Sequence, residues 1–237
     1  MDSNLPIQQI LARYKSSDKT GLLHSYGELK SLNIDLDFIF VLLRTFEDES
    51  NFNSEDYDQF SLITILDYIE RTHTYYLSKR LHEIEQTIDL LIKSYDKSHP
   101  ILLGLSSFFL EYKARLATHI KAEENFMLPY IKSLLKFERN EINVQEYFVT
   151  TKDNSMDKIL NAHDDVELDL AKMREALVNT QTPETSKTLY RILITQLESF
   201  EKDLLVHGLV EDRVLIPRAK QLEENLNEIF SEMIRWN

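Results

Sequence analysis

Two segments of the chain carry the same arrangement of potential metal ligands. HIKAEENFMLP, from His119 to Pro129, and HGLVEDRVLIP, from His207 to Pro217, both have the form His-x3-Glu-x5-Pro and begin 88 residues apart. On a helix, side chains four apart stack on one face, so in each copy the imidazole and the carboxylate can reach a common centre. One further histidine precedes each copy at a similar distance, His73 by 46 residues and His163 by 44. The chain thus reads as two halves, each holding one histidine and then a histidine–glutamate pair. His73, His119, Glu123, His163, His207 and Glu211 together form a ligand set for two metal ions. Nitrogen and carboxylate donors without sulfur suit iron, manganese or zinc, and three protein ligands per ion do not give the closed tetrahedral site of structural zinc.

These residues need rigid elements to bring them together, and the composition supplies helices. With only four glycines and five prolines in 237 residues, and long periodic segments between few turn clusters, the chain is expected to be all-α. Short helices are expected over about 5–15, 18–30 and 35–47, followed by a polar stretch that divides a small amino-terminal region, 1–55, from a bundle over 56–237. Long helices are expected over about 61–95, 100–137, 153–178 and 184–215, with a last helix over 217–235. FERNEINVQEYFVTTKDN, between the second and third, reads as less regular.

Within the long helices the apolar residues advance in alternating steps of four and three, the pattern of a seam facing the interior of a bundle. One seam runs Leu105, Phe109, Tyr112, Leu116, His119, Glu123, Phe126; another runs Leu193, Leu197, Phe200, Leu204, His207, Glu211, Val214. The first helix contributes Leu62, Leu66, Ile69, His73 and Tyr76, and the third Ile159, His163, Val166, Leu170, Met173 and Leu177. Every long helix therefore points one histidine inward. Burying a neutral polar group without a partner costs roughly 2–7 kcal/mol, and an ionised one more, so six such groups require a shared counterpart. A pair of cations compensates all six, keeping the carboxylates ionised and the imidazoles neutral.

A lone inward histidine is more often a hydrogen-bonded core residue, so the repeat and not the single residue carries the metal reading. His24, His82 and His99 fall outside it and read as surface or capping residues. Glu167 and Asp212, four and five residues after proposed ligands, are candidates for contacts around the site. Tyr76, Tyr112 and Phe126 are placed to wall a pocket. The formal charge of −13, with no basic block, argues against nucleic-acid and anionic-membrane partners. Absence of cysteine removes thiolate chemistry from this chain, and with no secretory signal or long apolar run the expected location is cytoplasmic.

Taken together, His73, HIKAEENFMLP, His163 in NAHDDVELDL and HGLVEDRVLIPRA resemble the hemerythrin-like di-iron family, and within it the repair-of-iron-centres proteins, over about residues 60–220. The resemblance implies a hemerythrin-like four-helix bundle with extra amino-terminal short helices and a carboxy-terminal helix. It also implies two non-haem iron ions, oxo- and carboxylate-bridged, held by His73, His119, Glu123, His163, His207 and Glu211. The implied role is in nitrosative or oxidative stress: binding or reducing nitric oxide, or supplying iron to apo-proteins that need their iron–sulfur clusters rebuilt. Reversible sensing of oxygen or nitric oxide, and peroxide scavenging or iron holding, are the alternatives; turnover as an oxidoreductase belongs to some of these and not to others. Three departures stand out. Oxygen-carrying relatives have a histidine where this chain has Glu167, although Asp212 meets their requirement for a carboxylate. Leu209 replaces the second member of the His-x-His in the last repair-family motif. The amino-terminal cysteine pair of that family corresponds to the cysteine-free stretch Asn33-Ile34-Asp35-Leu36-Asp37-Phe38.

Overall fold

A computed structural model describes residues 5–14, 35–94, 100–160, 168–178 and 187–235, and among these there are helices and turns but no strand. The amino-terminal part consists of α1 (Leu5–Ala12), α2 (Leu36–Glu47) and two short 3-10 turns, Glu49–Asn51 and Ser54–Tyr57. Asp35 caps α2, accepting a hydrogen bond from the Phe38 N–H. The helix expected over 18–30 lies outside the described residues.

The first long helix is α3 (Leu62–Tyr75), a π-helical turn at Tyr76–Arg80, and α4 (Leu81–Ser94). Ser61 caps its start by accepting from the Thr64 N–H. The second is α5 (Pro100–Ala122), a π turn at Glu123–Met127, and α6 (Leu128–Glu138). Asn140 ends it in the left-handed conformation, with φ 59°, which asparagine tolerates better than most residues. The stretch that read as irregular contains α7 (Val144–Thr151), started by a reciprocal capping box between Asn143 and Glu146. Of the third long helix, α8 (Met156–Leu160) and α9 (Leu168–Val178) are described; His163, Val166 and Glu167 lie outside the described residues. The fourth is α10 (Lys187–Val210) followed by a π turn at Glu211–Leu215, and α11 (Ile216–Arg235) continues directly from it.

Helices α4, α5, α9 and α10 close a ring in which each touches the next, which is the cross-section of a four-helix bundle. Two apolar clusters fill the interior. One, at the α4–α5–α9–α10 end, is built from side chains such as Ile84, Ile88, Phe109, Leu116, Met173, Leu197 and Phe200. The other joins Ile10, Phe38, Leu42 and Phe46 of the amino-terminal helices to Leu66, Ile69, Ile131, Leu134, Val210 and Leu226. Tyr57, at the end of the second 3-10 turn, and Phe60 beyond it pack into this second cluster, and their carbonyls accept hydrogen bonds from Arg218 at 3.1 and 2.9 Å. The layer between the clusters is polar, and it holds the ligand candidates.

Candidate metal centre

Five of the six candidate ligands lie among the described residues, and they converge. Donor atoms of His73, Glu123, His207 and Glu211, all buried, lie within 4.8 Å of one another. Glu123 spans two histidines: one carboxylate oxygen is 2.7 Å from His119 Nε2 and the other 3.0 Å from His73 Nε2. His207 Nε2 lies 3.2 Å from Glu211, and the rings of His73 and His207 meet edge to face at 5.1 Å. His163 lies outside the described residues, as does Glu167.

The donor set fits a cation. Both nitrogens of His73 are buried without a hydrogen bond, although a carboxylate oxygen stands close by, and His207 Nδ1 is likewise buried and unbonded. Nitrogen lone pairs and carboxylate oxygens brought this close repel unless a proton or a cation lies between them. Burial pushes the His207 imidazole down to about 4, so at neutral pH it presents the unprotonated form that metal ligation needs.

Local backbone geometry shares this placement. A π turn begins at each glutamate, Glu123 and Glu211, and a third begins three residues after His73. In the two repeats the Leu128 and Ile216 N–H groups donate to the carbonyls of Glu123 and Glu211, five residues back instead of four. This geometry accommodates Pro129 and Pro217, although the π turn at Tyr76–Arg80 has no proline immediately after it. A proline has no N–H for the four-back bond, and its ring clashes with that carbonyl, so a widened turn immediately before it keeps the helix continuous. The helices are accordingly not broken at the prolines.

In the first of these repeats, within the turn Glu123–Met127, one expectation is corrected. Phe126, which the periodicity places inward, is 67 % exposed, while Met127 is fully buried in its stead. Phe126 and Met127 both border a cavity of about 790 Å³ beside His119 and Glu123. Asp212 is exposed, whereas Val214 and Leu215 of the same turn are buried. His82 is exposed on its helix, as its position outside the repeat implies.

Tyr76 and Tyr112 do wall a pocket. With Leu116, His119, Ile120, Leu204 and His207 they enclose a cavity of about 20 Å³, room for about one water-sized molecule. Behind Tyr76 sits a buried ion pair that neither the repeat nor the seam reveals. Arg13, just beyond α1, meets Asp203, one helical turn before His207, and the Tyr76 hydroxyl donates to the same Asp203 oxygen at 2.9 Å. Arg13 also donates to the Tyr68 hydroxyl at 3.3 Å, and its guanidinium carbon lies 5.2 Å from the centre of the Tyr68 ring and 5.6 Å from that of Tyr75. Burial opposes the charge, but Asp203, Tyr68 and Tyr76 outweigh it and hold Arg13 protonated. The one sequence signal available was Asp203 itself, an acid set between the inward Phe200 and Leu204.

Among the described residues, no helix is long and apolar enough to cross a membrane. Comparison with known proteins gives a match to the hemerythrin HHE cation binding domain over residues 64–219. Iron-sulfur cluster repair protein ScdA from two strains of Staphylococcus epidermidis is 22% identical over 187 residues, covering 79% of this chain and 80% of ScdA. The family match spans both His-x3-Glu-x5-Pro copies and the whole polar layer between the two apolar clusters, and the chain belongs to the hemerythrin HHE cation-binding family.

Proposed function

We propose that the polar layer binds two non-haem iron ions and that the protein acts in nitrosative or oxidative stress, binding or reducing nitric oxide and supplying iron for the repair of iron–sulfur clusters. The single observation that carries this reading is Glu123, fully sequestered and extended between His119 and His73, one oxygen to each. A carboxylate in that position is suited to bridge two cations. In the proposed assignment His73, His119 and His163 with His207 are the nitrogen ligands, and Glu123 and Glu211 are the carboxylate ligands. Iron held this way supplies an open coordination position and access to two oxidation states.

The chain's own residues define what reaches that position. The cavity of about 20 Å³ beside His119 and His207 has room for about one water-sized or diatomic molecule, while a larger cavity of about 790 Å³ borders His119 and Glu123. His207 is uncharged at neutral pH, and Leu116, Ile120 and Leu204 give the small cavity largely apolar walls. Similarity to ScdA supports the repair role, which in this chain proceeds without a cysteine of its own. The cytoplasm, where iron–sulfur apo-proteins are assembled, is the proposed location.

Metal analysis of the purified protein with its optical spectrum tests the cofactor: two irons per chain are expected, and zinc or no metal overturns the reading. Anaerobic nitric oxide added to the reduced protein tests the gas chemistry, with a new paramagnetic signal or nitrous oxide expected. Transfer of iron to an apo iron–sulfur protein, in competition with a chelator, tests the supply role; iron that stays bound while the client remains inactive removes that half.

A further inference from the structure

The small cavity and the buried ion pair share one residue. Tyr76 lines the cavity together with His119 and His207, and its ring meets His207 edge to face at 5.7 Å. Its hydroxyl is committed elsewhere, donated at 2.9 Å to Asp203, which is not among the cavity's lining residues. Asp203 is held in turn by Arg13, whose side chain has no exposure to solvent and sits among the rings of Phe46, Tyr68, Tyr75 and Tyr76. An ionised carboxylate is a stronger acceptor than a neutral ligand molecule, and the paired arginine keeps it ionised and fixed in place. A phenol beside a metal position would otherwise be the natural donor to any bound anion.

We propose that Arg13 and Asp203 form a specificity-determining clamp that turns the Tyr76 hydroxyl away from the small cavity, so that this phenol offers no hydrogen bond to an anion bound there and a neutral diatomic gas loses nothing by comparison. The clamp reaches the site from the amino-terminal part of the chain, which makes that part a component of the ligand pocket. Arg13, Asp203 and Tyr76 are positioning residues here. The inference rests on the di-iron reading for the identity of the ligand, but the direction of the hydroxyl does not depend on metal.

The test has two arms, both on the full chain. Ultraviolet resonance Raman difference spectra between the metal-free protein and its Tyr76→Phe variant isolate one tyrosine, and the intensity ratio of its Fermi doublet reports whether the phenol donates or accepts. A strong donor is expected; the signature of an accepting or solvent-bonded phenol overturns the clamp. In the iron-loaded protein, cyanide is the probe, a diatomic anion with a free acceptor end. Replacing the pair together, Arg13→Met with Asp203→Leu, releases the hydroxyl and is expected to raise cyanide affinity roughly tenfold, the factor that corresponds to one hydrogen bond of about 1.4 kcal/mol. Adding Tyr76→Phe to that double variant is expected to abolish the gain. Equal affinity in the native and double-variant proteins, or a gain that survives loss of the hydroxyl, overturns the proposal. Iron at background level in the native protein would overturn the di-iron reading instead and leave the Raman arm to decide the clamp. That arm needs no charge-pair variant, so a double variant that fails to fold does not remove the test.

Discussion

The two copies of His-x3-Glu-x5-Pro differ far less in sequence logic than in surroundings. Around His119 and Glu123 the wall is open: His119 is partly exposed, Phe126 faces outward, and a cavity of about 790 Å³ borders both ligand candidates. Around His207 and Glu211 it is closed. Val214 and Leu215 fill the space after the glutamate, and Asp203, Arg13 and Tyr76 seal the turn before the histidine. The same motif on the same helical geometry thus gives one accessible side and one insulated side. Their neighbours differ: the helix of the sealed copy packs directly against α2 of the amino-terminal part.

The sharpest way to break this comparison is to remove one carboxylate from each copy. If each carboxylate bridges two irons, as proposed, Glu123→Ala and Glu211→Ala are each expected to lose both, measured as metal per chain. Loss of a single ion in either variant would mean that the halves bind independently.

The next largest effect belongs to the sealed side. Arg13→Met alone leaves Asp203 as an uncompensated buried charge and is expected to cost about 3–5 kcal/mol in chemical denaturation, whereas the paired replacement with Asp203→Leu should cost much less. Equal costs for the single and paired variants would show that Arg13 contributes packing and not charge balance.

On the open side, neighbouring residues separate the two sides of the shifted seam. Met127→Ala is expected to cost roughly 2–5 kcal/mol, as truncation of a buried side chain does. His207 then supplies the pH dependence. Its folded value of about 4 lies below the unfolded 6.5, so in metal-free protein the unfolded chain takes up the proton first as pH falls. Stability from this group is fully present above about pH 6.5, is lost progressively down to about pH 4, and totals on the order of 3 kcal/mol. Denaturation midpoints that stay flat across that window would show that the imidazole is solvated. The smallest effect is expected from Phe126→Ala, within about 0.5 kcal/mol, since the ring is exposed.

Comparing Phe126 with Met127 also shows where periodicity stops being informative. Up to Glu123 the steps of four and three identified inward residues correctly: Leu105, Phe109, Tyr112, Leu116 and Glu123 are buried, and so is the whole series from Leu193 to Val214. Beyond Glu123 the count fails at Phe126, yet it holds at the equivalent Val214 in the same kind of π turn, so the turn alone does not decide which residue faces inward. The proline that follows the turn was visible, but whether a helix breaks, bends or widens to accommodate it depends on what the following segment packs against. Asn143 and Glu146, by contrast, are a local capping signal for α7 that the sequence contained and that needed no tertiary information.

By itself the sequence determined the helical class, the paired motifs and the inward face that carries them, because these follow from spacing along one chain and from the cost of burying polar groups singly. Tertiary structure alone decided that Arg13 meets Asp203 across 190 residues, that the Tyr76 hydroxyl turns toward that pair, and that only one copy of the motif is sealed. Those outcomes depend on which distant surfaces exclude water together, and no periodicity within a helix encodes them.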